Sequence, residues 1–514
     1  RGGGDVGRGG AVGRWGGGGG GRVIGAGTAV VVTVLTLLVV TALGLRASRG
    51  RALTGETLVS APGELGAPVL TASLVATNLG AWVLFSPAET GGAFGGLPAA
   101  TGYALGAALP LLAFVPLGLR LRRLVPQGHS LVAFVRARYG RRMAGLLLAV
   151  STVYMFVFLT AELTGAAAAL RYVAGVPPWV TTGLLCLAVV GYVAYGGLIA
   201  SIVTDTVQVL VILPLLAVGL AGVVLALGGT EPIYTAVVTD HESLLSWNLR
   251  CVRFGFAVAL AVLSANVVNQ GFWERVYAAA DEGTLTRSFV VAALGSIPVV
   301  FLSGLFGIEA VGLGTVPADE ANVALFSLVG ATFAPPLLLA VVAFTVLLVS
   351  STADSLLVGL VDLLRIDLPG VDPDATLAEE RTVAAVVAVA ASAIAALQLS
   401  EVELFLAVDL LCAAVFVPVV AGLYTDRVTE RAALAGSFGG MVVGVLLDPW
   451  VRSFLPPAGL PEPGFVRAFV AAFAVAAVPV AVSAGTGEPH VRLDTVAERV
   501  EARTADGEEE GDAP

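Results

Sequence analysis

The sequence contains little charge and no lysine. Of its 514 residues only 13% are charged and 57% are hydrophobic, and all 28 basic residues are arginine. Water-soluble domains carry about a quarter charged residues, so this composition excludes a soluble globular chain. The formal charge of −10 at pH 7 also argues against a nucleic-acid partner, because nucleic-acid binding needs clustered basic side chains.

Cysteine and enzyme motifs are equally scarce. Three cysteines lie far apart, in or beside apolar runs, which excludes a disulfide framework or a zinc site; they are Cys186, Cys251 and Cys412. The acids and histidine that a catalytic site could use have no nucleophile–base pattern around them. We therefore expect buried free thiols, no organic cofactor and no enzymatic activity.

Long apolar runs dominate what is present. About thirteen stretches are apolar enough to cross a hydrocarbon core that is ~30 Å thick. The fifth and sixth are expected at residues 180–194 and 201–227. The sequence therefore predicts an all-α polytopic membrane protein whose main solvent is the lipid bilayer.

The chain divides into five parts by composition. Residues 1–22 form a Gly/Arg-rich head that is expected to be disordered, and residues 23–67 hold the first transmembrane helix and a cytoplasmic loop. Residues 68–424 form a ten-helix core, and 425–484 hold two further transmembrane helices. Residues 485–514 form an acidic tail.

Arginine placement predicts the orientation. The loop between the third and fourth spans is rich in arginine, and short loops of that kind stay in the cytoplasm. The arginines concerned are Arg120, Arg122, Arg123, Arg136, Arg138, Arg141 and Arg142. An odd number of spans then places the N-terminus outside and the C-terminus inside, in the plasma membrane.

The second span contains a predicted break. Gly80 relaxes a helix, and Pro87 removes a backbone hydrogen bond; the polar residues Thr77, Asn78 and Ser86 surround them. A break at mid-membrane requires partners for the freed backbone groups, which favours a cavity with something to bind. An ordinary proline kink is the alternative.

The seventh span contains a second polar run, at Asn266, Asn269, Gln270 and Gly271. If spans two to six pair with spans seven to eleven as an inverted repeat, the two polar runs occupy equivalent positions. Paired interruptions of this kind indicate the binding site of a transporter. The alternative is an interfacial helix end anchored by Trp273.

Polar and aromatic groups on these spans are the candidate ligands of a small solute. They are Asn78, Trp82, Ser86, Glu162, Asn266, Asn269 and Gln270. Two further acids within apolar runs, Glu309 and Asp409, are site candidates by default or face the bundle interior.

The ninth span suggests a cation site. Ser350 and Ser351 carry hydroxyls, and unwinding of the second span would free the carbonyls of Ala76 and Leu79. Oxygen ligands of this kind suit a hard cation such as sodium. The alternative is that the hydroxyls donate to carbonyls four residues earlier in their own helix.

A further acid, Asp205, lies at the junction of the fifth and sixth spans, after a Gly-Gly pair. Gln208 follows three residues later, so the pair also fits a helix capping box.

Three segments together resemble the sodium:solute symporter family, which includes proline permease and the sodium–glucose cotransporters. They are residues 130–140, residues 195–208 and residues 350–357, and their order and spacing hold over roughly residues 68–447. The resemblance implies an inverted five-plus-five helix core of the leucine-transporter type, with one helix before it and more after it.

The same resemblance implies site residues. Sodium would be held by carbonyls of Ala76, Leu79 and Leu347 and by the hydroxyls of Ser350 and Ser351. Asp205 matches an acidic position that the family needs for cation-dependent transport. Trp82 matches a tryptophan of the proline-permease type, but Asn78 stands where that type has an aspartate.

The implied function is sodium-coupled symport of a small polar organic solute by alternating access, with Na⁺ as coupling ion and a monomeric transport unit. Two alternatives remain open: a proton-coupled transporter of the same fold, and a sensor of solute or sodium without net transport.

Overall fold

The computed structural model describes residues 24–48, 63, 65–126, 130–226, 228–366, 377–454, 462–486, 488 and 490–500. The predicted head and the end of the predicted tail lie outside them. The first half of the chain forms helices α1 (Ala26–Ser48), α2 (Ala67–Asn78), α3 (Ser86–Glu89), α4 (Gly96–Leu124), α5 (Leu131–Arg138), α6 (Arg141–Ala174), α7 (Pro178–Ala226) and α8 (Thr230–His241). A 3₁₀ turn, Ala81–Leu84, precedes α3, and a π-helical turn, Thr90–Gly95, follows it.

The second half begins with helices α9 (Leu249–Val268), α10 (Gln270–Ala278), α11 (Glu282–Gly312), α12 (Ala324–Thr332) and α13 (Pro335–Ile366). It continues with α14 (Leu377–Ala395), α15 (Glu401–Tyr424), α16 (Glu430–Leu447), α17 (Pro449–Ser453) and α18 (Phe465–Thr486). The remaining turns of helix are of 3₁₀ type, at Glu242–Leu244, Ala318–Val323 and Leu493–Thr495. Throughout the described ranges the chain is helical and contains no strand, which confirms the all-α prediction.

Membrane-crossing capacity is visible in the helices themselves. Eight helical stretches of the described residues are long and apolar enough to cross a membrane, and a bent pair, Pro214–Ala226 with Thr230–Leu244, would be a ninth. Large apolar side chains such as Leu38, Leu294 and Val386 lie on the outer surface, more than half exposed. Lipid is the solvent in which such a surface is stable. The count of about thirteen spans and the division into a core and flanking helices stay predictions.

The fifth and sixth predicted spans are not separate helices. The structure continues one helix, α7, through the expected junction at residues 195–200. The two glycines there weaken a helix, but both retain their backbone N–H, so no hydrogen bond is lost as it would be at a proline. The Gly-Gly pair was read as a helix end, and that reading is wrong for this structure.

One arginine counted as a loop charge has a structural role. Arg138, at the end of α5, is fully buried, and its guanidinium donates to the carbonyls of Thr425 at 2.7 Å and Val428 at 3.1 Å. The neighbouring Tyr139 hydroxyl donates to the carbonyl of Pro418 at 2.6 Å. These bonds attach the arginine-rich segment to the C-terminal end of α15.

Close backbone contact holds the segment after the first break against α11. A Cβ atom on Gly307 would lie 1.8 Å from the carbonyl oxygen of Ala88, and one on Gly91 would lie 2.4 Å from that of Gly304. Only glycine allows such an approach, because any side chain would overlap a carbonyl of the neighbouring backbone.

We expect Gly307→Ala to displace this segment and to lower the thermal unfolding temperature of the purified protein, since forced overpacking costs about 1–3 kcal/mol. Gly295→Ala is the matched control on the same helix, because nothing lies within 4 Å of its added Cβ. Equal unfolding temperatures for the two variants would contradict the close contact.

Candidate functional site: a cavity between two helix breaks

The first break separates α2 from the 3₁₀ turn. Leu79 leaves the helical conformation with φ −111° and ψ 61°, and Gly80 is extended. Ending α2 at Asn78 leaves the carbonyls of its last turn, including that of Ala76, without intrahelical partners. The predicted break near Gly80 is therefore present. Pro87 does not cause it, because this proline lies in the first turn of α3, where no helical N–H is needed.

Glu162 of α6 attaches the broken segment to the bundle. Its Oε1 accepts the backbone N–H of Trp82 at 3.0 Å, and the side chain is fully buried. A Cβ atom on Gly80 would lie 2.9 Å from that same oxygen, so the glycine lets the chain pass directly over the carboxyl group. The interaction replaces a hydrogen bond that the break removes from the helix.

The second break lies between α9 and α10. Asn269 is extended, with φ −76° and ψ 111°, and its Oδ1 accepts the N–H of Gly271 at 3.0 Å as the cap of α10. Two side chains reach the carbonyls at the end of α9: the Trp273 indole donates to Val267 at 2.7 Å, and the Ser151 hydroxyl donates to Val268 at 3.1 Å. The interruption predicted at residues 266–271 is present.

A single face of α6 therefore contacts both breaks. Ser151 and Glu162 are separated by three turns of α-helix, at 3.6 residues per turn, so their side chains lie on the same side of α6. Sequence reasoning selected Glu162 but missed Ser151, because one serine in an apolar run is most often a helix–helix contact.

The two breaks share a cavity of about 40 Å³. It is lined by Thr77, Asn78, Trp82, Tyr103, Tyr154, Phe158, Val262, Ala265, Asn266, Asn269, Phe405 and Asp409. Aromatic rings form much of the wall: Trp82 stacks on Tyr103 with centroids 5.3 Å apart, and Phe158 contacts Phe405 at 5.3 Å. A water needs about 10–15 Å³ by this measure, so the space admits about three waters or one small solute.

Four of the seven predicted solute ligands line this cavity: Asn78, Trp82, Asn266 and Asn269. The other three, Ser86, Glu162 and Gln270, do not. Ser86 lies behind the wall, where its hydroxyl donates to Glu401 at 3.3 Å, and Glu162 binds backbone. Their side chains are directed by local helix geometry, which polarity alone does not reveal.

Sequence reasoning missed the tyrosines Tyr103 and Tyr154, because aromatic residues in apolar spans usually belong to the core. Asp409 was noticed as an acid in an apolar run but was not placed in the site. The rule that such acids mark function was the signal that could have placed it.

The hydroxyl-bearing residues of α13 face different sides of the helix. The Thr352 methyl group would lie 3.0 Å from a Cβ on Gly80, so this residue faces the first break. Ser350 is two residues away and faces another side: its hydroxyl donates to Val346 at 2.7 Å, and it lines a separate small cavity beside α1 and α7. Ser351, between them in the helix, is buried.

Thr352 is therefore the residue of this group that the structure places against the first break, and the sodium ligands predicted at Ser350 and Ser351 stay a prediction. Asp205 lies within α7, but its side chain is outside the described residues, so its predicted role stays a prediction. In the described ranges no three acids, cysteines or histidines group as a metal site.

The chain matches the family model of the sodium:solute symporter family over residues 59–440. The protein belongs to this family. Members of the sodium:solute symporter family are multi-pass membrane transporters rather than enzymes, and two interrupted helices around a central cavity fit that role.

Individual members of the sodium:solute symporter family are related at modest identity. The chain is 27% identical over 292 residues to the spermidine transporter DUR31 of Candida albicans, and 26% identical over 237 residues to a probable urea active transporter of Schizosaccharomyces pombe. The matches cover 56% and 43% of this chain, and 54% and 36% of those relatives. The chain therefore spans about half or less of the length of the relatives it matches.

Solved structures confirm the fold. A Na⁺-coupled sialic acid symporter in an outward-open state superposes with a TM-score of 0.68 at 16% identity, over 90% of this chain and 98% of that one. The inward-facing conformation of Mhp1 superposes with a TM-score of 0.55 at 16% identity, over 88% of this chain and 98% of that one. The predicted leucine-transporter type of core is confirmed.

Proposed function

We propose that this protein is a sodium-coupled symporter that carries a small polar organic solute across the plasma membrane by alternating access. One observation carries the proposal: the Thr352 side chain of α13 packs against Gly80, just after the end of α2, beside a cavity that lies between two interrupted helices. Neutral hydroxyl and carbonyl oxygens suit a hard monovalent cation, and neutral ligands allow it to leave again.

The proposed sodium ligands are the carbonyls of Ala76 and Leu79 and the hydroxyls of Ser351 and Thr352. The family resemblance implies hydroxyls of Ser350 and Ser351 and the carbonyl of Leu347. The pair proposed here lies one residue later, so the matching carbonyl is that of Leu348. Thr352 now donates to the Leu348 carbonyl at 3.1 Å, which brings the two oxygens together. Asp205 is proposed to affect cation dependence from α7.

The size of the cavity supports a solute of only a few heavy atoms. The relatives named for spermidine and urea transport support a nitrogen-containing one. One sodium ion crossing a potential of ~100 mV releases about 2.3 kcal/mol, and a tenfold gradient adds about 1.4 kcal/mol. A single ion therefore suffices to concentrate such a solute several hundredfold.

Proton coupling is the second candidate, favoured by buried carboxyl groups. Glu162 Oε2 and Glu401 Oε1 are buried without hydrogen-bond partners in the described residues. A carboxyl group in that position can bind a proton, as acids within transporter helices do.

Uptake by the purified full chain in lipid vesicles distinguishes the candidates. Labelled urea and spermidine are offered under an inward sodium gradient, an inward proton gradient, or neither. Accumulation with sodium alone supports the proposal. Accumulation that depends on the proton gradient and not on sodium would contradict sodium coupling and support proton coupling.

The orientation proposed from arginine placement has the N-terminus outside, and the proposed transport unit is a monomer. Single cysteines introduced at exposed loop positions and labelled from outside intact cells test the orientation directly.

A further inference from the structure

Asp409 is the one acid among the described residues that line the cavity. It lies on α15 and is 3% exposed, and its Oδ1 has no hydrogen-bond partner in the described ranges. None of the described residues that line the cavity is an arginine that could compensate its charge. A buried acceptor without a donor costs free energy, so its position calls for a ligand that supplies the donor.

Another buried acid, Glu89, has a donor for each of its carboxyl oxygens. Glu89 accepts the Ser400 hydroxyl at 2.6 Å and the Val402 N–H at 3.3 Å. These bonds use the chain itself, so Glu89 needs no external partner. Asp409 differs because it lines the cavity and no donor in the described part of the chain reaches its Oδ1. Glu162 and Glu401 each have one such oxygen as well, but they do not line the cavity.

Two amides add polar groups to the cavity wall. Asn78 directs its amide nitrogen to the Ala107 carbonyl at 3.3 Å, and Asn266 directs its own to the Val262 carbonyl at 2.9 Å. Each amide has an acceptor oxygen besides. The stacked rings of Trp82 and Tyr103, tilted by 20°, form a flat wall beside them. Flat aromatic surfaces favour planar and cationic groups.

We propose that Asp409 binds the transported solute through a pair of N–H groups, and that the solute is a small planar N–H donor of the urea or guanidinium type. A carboxylate accepts two parallel N–H bonds from such a group, which gives both affinity and orientation. The inference rests on the proposed function, because it takes the central cavity as the solute site.

Four compounds of nearly equal shape test the donor requirement: acetate, acetamide, urea and guanidinium. Each has four heavy atoms, one planar carbon and the three atoms bonded to it, and the number of N–H groups rises along the series. Binding to the purified protein in detergent is measured by calorimetry. We expect urea and guanidinium to bind at least about tenfold more tightly than acetamide, and acetate to bind least. Tighter binding of guanidinium than of urea would indicate a cationic solute. Tighter binding of urea than of guanidinium would indicate a neutral solute. Tightest binding of acetate would overturn the proposal.

Asp409→Asn retains the shape of the side chain and removes one acceptor. We expect it to weaken binding of the preferred compound at least about tenfold. Glu403→Gln, on the same helix but outside the cavity, is the matched control and should bind as the unmodified protein does. Unchanged affinity in a monodisperse Asp409→Asn protein would overturn the assignment.

Sodium dependence separates this inference from the proposed function. Asp409→Asn should leave the sodium concentration for half-maximal uptake unchanged, because the proposed sodium ligands are on α2 and α13. If a sodium gradient does not drive uptake, the proposed sodium symport is wrong. The binding measurements on the four compounds in detergent would still test the role of Asp409.

Discussion

Replacing Glu162 by leucine is expected to reduce uptake more than tenfold, because the Trp82 N–H would lose its only described acceptor in a fully buried position. An unsatisfied buried N–H costs about 1–3 kcal/mol. The segment 81–84 would then rearrange, and with it the wall of the cavity. Initial uptake rates in vesicles measure the effect.

Glu162→Gln is the informative companion variant. Its amide oxygen can still accept the Trp82 N–H, so uptake should stay within a few fold of the unmodified protein. If leucine and glutamine were equally harmful, the carboxyl group itself would be required, as in proton coupling. If both were harmless, the hydrogen bond would not position the break.

Thr352→Val and Ser351→Ala are expected to raise the sodium concentration for half-maximal uptake about tenfold each, as loss of about 1.4 kcal/mol of coordination predicts. Ser351 is buried, and the Thr352 side chain packs against the first break. Valine keeps nearly the shape of threonine, so folding should survive.

Ser350→Ala is the matched control from the adjacent position. Its side chain lines a separate cavity beside α1 and α7, away from the first break, so the sodium requirement should change little. A larger effect from Ser350 than from Thr352 would restore the ligand pair expected from sequence and refute the shift by one residue.

Both helix breaks could be predicted from sequence because each has a local chemical cause. Gly80 tolerates an extended backbone close to other atoms, and Asn269 caps a new helix with its own side chain. The middle of α7 shows where local reasoning is insufficient. Glycines at residues 196 and 197 permit a break without requiring one, so neighbouring contacts determine whether the helix continues.

The solute site was predicted in part for a related reason. Asn78, Trp82, Asn266 and Asn269 lie beside the breaks, where the cavity must be. Tyr154 and Asp409 come from distant helices, and only packing brings them to the same space. The spacing of residues within one helix cannot predict that residues from different helices line the same cavity.

Hydropathy by itself determined that this chain is a helical membrane protein, because every apolar run must satisfy its backbone hydrogen bonds internally in lipid. Three sequence motifs determined the family. Only the tertiary structure decided which side chain of residues 350–352 packs against the first break. Successive residues of a helix differ by about 100° in direction, so the rotation of α13 against its neighbours selects Thr352 over Ser350. That rotation depends on side chains from α1, α6 and α7 that are far away in sequence.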